Sequence, residues 1–213
     1  MQISNLNPWR LSLAVLLVGV ATVAGMAQAR ALAGMPLVEA LRRGGYVLVM
    51  RHASSPVATP TARTAEPDNI RLERQLDEAG RSGARAMGEA IKMLRIPIGD
   101  VLSSPTYRAL ETVRLASLPP ARKFDQLGDG GMSMRAADAA QATWLQRQAA
   151  APPRANANTF IVTHSPNISS AFGEKAAKLA DGEILVFHPD GEGDAELVGR
   201  IKIEEWPILA ARQ

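Results

Sequence analysis

The chain contains no cysteine. Disulfide staples, thiolate nucleophiles and cysteine-ligated metals are therefore excluded, and stability has to come from core packing. A lipid anchor attached through a leader cysteine is excluded by the same absence. Aromatic residues are scarce, at 4%, and none interleave with a basic stripe, so the sequence lacks the usual signature of a nucleic-acid-binding face. Charge of one sign is not in excess either. The 24 basic and 21 acidic side chains leave a formal net charge of +3, and the basic residues are scattered as on a solvated surface. Internal repeats and coiled-coil patterns are also missing. Histidine is rare, with three in the chain, and two of them stand at the ends of apolar runs.

What is present is ordinary globular sequence, 46% hydrophobic and 21% charged, of a length suited to one good-sized core. Arg10, the apolar stretch 11–24 and the small-x-small pattern Ala27-Gln28-Ala29 together have the form of a signal peptide. This predicts a leader, residues 1–29, cleaved after Ala29, and a single domain over 30–213. The expected location is a bacterial periplasm or the exterior. The rival reading is an uncleaved membrane anchor, for which the apolar stretch is short against a span of roughly 20 residues; after cleavage no stable membrane insertion is expected.

Apolar runs at 46–50 and 159–163 read as buried central strands, with a shorter one at 100–103. The segment 36–43 precedes Gly44-Gly45 as a short helix. Asp77 is placed as an N-cap, after which Ala84, Met87, Ile91 and Leu94 recur at helical spacing as a core stripe. Ser104-Pro105 and Ser165-Pro166 repeat a cap-and-proline helix start, with Leu110 and Val113 as the buried face of the first. Residues 136–149 read as a helix, and 183–188 and 196–203 as two late strands about the turn Pro189-Asp190-Gly191. The stretch 53–75, with Pro56, Pro60 and Pro67, reads as a long binding loop, and 123–134 as a glycine-rich one. Strands alternating with helices, with continuous apolar runs, predict an α/β domain. The expected form is a three-layer α/β/α sandwich with a mostly parallel central sheet.

Ligands of such sheets bind at the carboxyl ends of strands. Arg51-His52 and His164 stand there, and Arg108 falls in the first turn of a helix. Two guanidiniums offer forked donors that match phosphate oxygens, and helix N-termini favour anions. A neutral imidazole can attack phosphorus and form a phosphohistidine. The four side chains therefore suit a phosphoryl group. A zinc site built on His52 and His164 is disfavoured, because adjacent arginines repel the cation and no further ligand is evident. His188 lacks comparable neighbours and reads as structural or surface, as does Glu204-Glu205. Trp206 is expected to cover a sheet edge.

Val49-Met50-Arg51-His52-Ala53 resembles the opening motif of the histidine phosphatase superfamily, whose fold is phosphoglycerate-mutase-like. Leu76-Asp77-Glu78-Ala79-Gly80-Arg81-Ser82-Gly83-Ala84 is similar to its next segment. Ser103-Ser104-Pro105-Thr106-Tyr107-Arg108-Ala109-Leu110-Glu111-Thr112 resembles the stretch with its second core arginine, and Val162-Thr163-His164 its second core histidine. The resemblance runs in order over roughly residues 45–205. It implies a metal-independent phosphatase without cofactor. His52 would be the nucleophile, and Arg51, Arg108 and His164 would form the pocket for a small phosphorylated substrate. Two departures are visible. Ala53 replaces the usual glycine, and the glutamate that many members carry after the second arginine has no counterpart. Asp129, or else Asp125, is the carboxylate expected to donate the proton, reaching over the pocket from its glycine-rich setting. The missing glutamate leaves room for a non-catalytic phosphate-binding or sensor protein. A phosphomutase fits less well. Arg63, Arg71 and Arg74 either add positive charge at the mouth or lie on the surface.

Overall fold

The apolar runs become the middle of one sheet because each can bury both of its faces. In the computed structural model, which describes residues 31–129 and 138–213, the strands are β1 (Val47–Arg51), β2 (Ile98–Ser103), β3 (Arg122–Lys123), β4 (Asn158–Thr163), β5 (Ile184–Pro189) and β6 (Ala195–Ile201). They lie in the order β3-β2-β4-β1-β5-β6. The first four of these neighbours run parallel, while β5 is antiparallel to β1 and to β6. The expected leader, 1–29, lies outside the described residues, as do 130–134 of the glycine-rich stretch and the first two residues of the helix expected over 136–149.

Side chains alternate across the sheet and sort into two cores. Leu48, Met50, Val101, Phe160, Val162, Ile184 and Val186 face one way; Val47, Val49, Leu102, Ile161, Leu185 and Phe187 face the other. The first face is covered by α1 (Gly34–Arg43), α2 (Glu78–Met93), α3 (Tyr107–Leu115) and α6 (Glu205–Ala210), the second by α4 (Ala139–Ala150) and α5 (Ser165–Phe172). The three-layer sandwich expected from the sequence is the observed architecture. No described helix is long and apolar enough to cross a membrane.

Local chemistry sets most boundaries. The Asp77 carboxylate accepts from the Gly80 amide at 2.7 Å and starts α2. Asp138 and Gln141 form a reciprocal capping box at the head of α4. Three readings are corrected. α3 begins at Tyr107 rather than at Ser104-Pro105, because the Ser104 hydroxyl is drawn to His164 Nε2 (2.9 Å) and the Tyr107 amide is instead accepted by Glu73 Oε2 (2.8 Å). Leu110 is only half-buried; Ala109 and Thr112 take the inner face of α3 beside Val113. Trp206 does not cover a sheet edge. It is fully buried under α6 in the larger core, and it carries α6, which the sequence pattern did not announce. Ala84, Met87, Ile91 and Leu94 are core as expected.

α2 is pressed onto the tip of β1. The Asp77 amide donates to Ser54 O at 3.2 Å, the Ser54 hydroxyl donates to Asp77 Oδ2 at 2.7 Å, and a Cβ at Gly80 would overlap the Ser54 carbonyl. Gly80→Ala is therefore expected to destabilise the protein by about 1–3 kcal/mol through overpacking, although alanine is the better helix former. Denaturant unfolding checks this, and unchanged or increased stability would contradict the close approach.

Candidate active site

Register brings the chemistry together. Arg51 lies opposite Thr163 and Ser103 opposite Val162, so the chain leaves three neighbouring parallel strands at the same end of the sheet. The His52 amide donates to Thr163 O (2.9 Å) and the Ser104 amide to Val162 O (2.9 Å), which extends the ladder just past the strand tips. His52 and His164 face each other there, ring centroids 5.2 Å apart at 67°. Arg108, from the first turn of α3, reaches between them.

The hydrogen bonds assign the imidazole tautomers, since a guanidinium only donates. Arg108 Nε donates to His52 Nε2 at 3.2 Å, and His52 Nδ1–H donates to Ala53 O at 2.8 Å. Arg108 Nη2 lies 3.1 Å from His164 Nδ1, which must accept, and His164 Nε2–H then donates to Ser104 Oγ at 2.9 Å. Both rings are neutral, with His52 protonated on Nδ1 and His164 on Nε2. Burial pushes the His52 pKa well below the usual 6.5, helped by its facing partner His164 and then by Arg108 and Arg51, against the Ala53 carbonyl bond. His164 is lowered in the same way, by burial first and then by Arg108, Arg74 and Arg51. The Ala53 methyl is buried and packs into a small cluster with Leu76 and Ala84.

Arg108 also pairs with Asp129, whose carboxylate lies 3.7 Å from His164 Nδ1. The Asp129 side chain is 0% exposed and does not line the cavity, so it braces Arg108 from within rather than reaching over the pocket. Asp125 sits on a 3₁₀ turn (Asp125–Leu127) and is exposed away from the cavity.

The cavity in front of the imidazoles has a volume of about 570 Å³. Arg51, His52 and His164 line it, together with Arg74, Asp181 and the α5 serines Ser165, Ser169 and Ser170. Arg51 is oriented by the Leu179 carbonyl (2.9 Å) and paired with Asp181. Arg74 is held by Pro56 O (2.7 Å) and Ser55 O (2.9 Å). Of the three arginines weighed for the mouth, Arg74 belongs to the cavity, while Arg63 and Arg71 are exposed outside it. Asp181 was not singled out in the sequence. Its signal there was weak, one acidic residue in a turn before a strand. His188 is on the surface, its ring 5.1 Å from that of Tyr46.

The fold has known counterparts. The chain superposes on the protein histidine phosphatase SixA complexed with tungstate with a TM-score of 0.54 at 20% identity, covering 75% of this chain and 98% of that one. The fold is that of the histidine phosphatases. A putative phosphohistidine phosphatase SixA from Agrobacterium tumefaciens is similar with a TM-score of 0.50 at 17% identity, over 74% of this chain and 97% of that one. Another from Nakamurella multipartitia gives 0.51 at 20%, over 74% and 95%. No family model and no curated protein sequence matches the chain.

In this histidine phosphatase fold the two buried rings bind fewer protons than they would in the unfolded chain once the pH falls below about 6.5. Stability contributed by this difference therefore falls with pH, by up to about 1.4 kcal/mol per pH unit for each ring. NMR of the ring nitrogens is expected to show both imidazoles neutral at pH 6.0, each in the tautomer given above. Half-protonation of either ring near pH 6.5 would contradict the burial argument.

Proposed function

We propose that the protein is an exported phosphomonoesterase that works through a phosphohistidine on His52 and needs no metal. What carries this reading is the state of His52: neutral, with its proton fixed on Nδ1 by the Ala53 carbonyl, its Nε2 lone pair held by Arg108, and its ring lining a cavity shared with Arg51 and Arg74. The leader-like N-terminal sequence supports export to the periplasm or beyond.

A phosphoryl group entering the cavity meets Arg51, Arg74 and the start of α5, where helix amides and dipole favour an anion. Arg108 shifts its donors from the ring nitrogens to the phosphoryl oxygens, freeing the lone pair of His52 Nε2. That pair attacks phosphorus as the bond to the leaving oxygen breaks. The guanidiniums stabilise charge spread over the equatorial oxygens of a loose transition state. Their charge takes the part a cation plays elsewhere, and would repel one. His164, held as a donor to Ser104, and Asp129, bound to Arg108, keep the assembly in register. Asp129 thus enters as a positioning residue for Arg108.

The cavity volume favours a small phosphorylated molecule, and export makes an envelope component a reasonable substrate class. A second reading is a phosphate-binding protein without turnover. Its support is the resting bond from Arg108 to His52 Nε2, which occupies the attacking lone pair. Phosphate release from 4-nitrophenyl phosphate by the wild type and by His52→Ala separates the two. Turnover that falls at least 10³-fold in the variant is expected, and equal rates would sink the esterase reading. Micromolar phosphate binding with no release by either protein would favour the second.

A further inference from the structure

Cleavage of an alkyl phosphate through a phosphohistidine needs a proton for the leaving oxygen and a base for the water that follows. Asp129 is ill suited to both, being fully buried against Arg108. Among the residues that line the cavity, Asp181 is the one carboxylate. Its side chain is 41% exposed, so substrate and water can reach it.

Asp181 is also held at a fixed place relative to His52. It sits in the turn that leads into β5, and the next amide in the chain, that of Gly182, donates to His52 O at 3.1 Å. The turn is closed by Glu183, whose Oε2 accepts from the Ala180 amide at 2.8 Å and whose Oε1 accepts from Arg200 Nε at 2.8 Å. Arg200 further donates to Ala177 O at 3.1 Å. Glu183 is thus committed to Arg200, while Asp181 is turned toward the cavity and pairs with Arg51. The charged and titratable groups facing Asp181 are Arg51 from β1, Arg74 from the 53–75 loop, and the two neutral imidazoles at the strand tips.

We propose that Asp181 is the acid and base of the reaction. The proposal rests on the phosphatase reading above. In the resting site the Arg51 guanidinium neutralises the carboxylate. An incoming phosphate dianion competes for the same guanidinium, which loosens the Arg51–Asp181 pair and leaves the carboxyl facing the phosphoryl group. In its protonated form, with a proton drawn from the solvent to which it is open, the carboxyl is the donor beside the phosphoryl group. As His52 Nε2 bonds to phosphorus, the electron pair of the breaking P–O bond stays with the leaving oxygen, which receives the proton of Asp181. The alcohol departs, and the Asp181 carboxylate then removes a proton from water as its oxygen attacks phosphorus. The P–N pair returns to His52 Nε2, and inorganic phosphate leaves.

Asp181→Asn keeps the size of the side chain and an acceptor for Arg51 but has no proton to give. The test compares wild type and variant on esters of graded leaving-group acidity, from 4-nitrophenyl phosphate through phenyl phosphate to an alkyl phosphate. The expected loss in kcat/KM, which reads only the steps up to departure of the alcohol, is within about tenfold on the nitrophenyl ester, whose leaving group needs little protonation, and on the order of 10²–10⁴-fold on the alkyl ester. Loss of the base slows breakdown of the phosphohistidine alike for all of them. The same loss in kcat/KM on every ester, with a raised KM, would overturn the proposal and leave Asp181 as a positioning residue for Arg51. A wild type that hydrolyses no ester would overturn the phosphatase reading itself, and this proposal with it.

Discussion

One guanidinium organises the site. Arg108 donates to His52, reaches His164 and pairs with Asp129, while being only 3% exposed itself. A buried cation is tolerated only where its donors are met, and here each partner is fixed by a different part of the fold. His52 comes from the tip of β1, His164 from the tip of β4, Asp129 from the stretch after the 3₁₀ turn, and Arg108 from α3. The strand register that aligns Arg51 with Thr163 is thus a condition for the guanidinium's hydrogen bonds as much as for the sheet. Because Arg108 can only donate, it also dictates which nitrogen of each ring carries a proton. The neutral, oriented nucleophile is a consequence of that constraint.

The long segment between β1 and α2 has no helix or strand, yet side chains replace the missing ladder. Asn69 exchanges bonds with Glu73 (2.8 and 3.0 Å), and Gln75 ties Glu66 and Thr64 (3.0 and 2.9 Å). Glu73 in turn accepts from the first amide of α3. The loop therefore sets Arg74 in the cavity and fixes the head of the helix that carries Arg108, coupling the cavity wall to its base.

Much of this was legible in the sequence where the signal is local or periodic. The apolar runs at β1 and β4, the Asp77 cap and the stripe through Met87 and Ile91 each depend on near neighbours, and each lies where it was expected. His52, Arg108 and His164 were legible because they stand at element ends, where chain direction alone brings side chains to one edge. Other features were hidden for a physical reason. Ser104 looked like a cap, but its hydroxyl is engaged by a histidine from another strand. Asp129 looked free to reach over the pocket, but a buried arginine holds it inside. Asp181 gains its meaning only from Arg51, far away in the chain, and Trp206 from a core that α6 helps to close. Non-local partners leave no mark at short spacing.

The position of the proton on His52 is the central point, because it decides which nitrogen can attack. With Nδ1–H bound to the Ala53 carbonyl, Nε2 is the available nucleophile. Trapping the phosphorylated protein during turnover, unfolding it in alkali and determining the attachment by phosphorus–nitrogen NMR measures this directly. A phosphoryl group on Nε2 of His52 is the expected result. Attachment at Nδ1, or at His164, would contradict it.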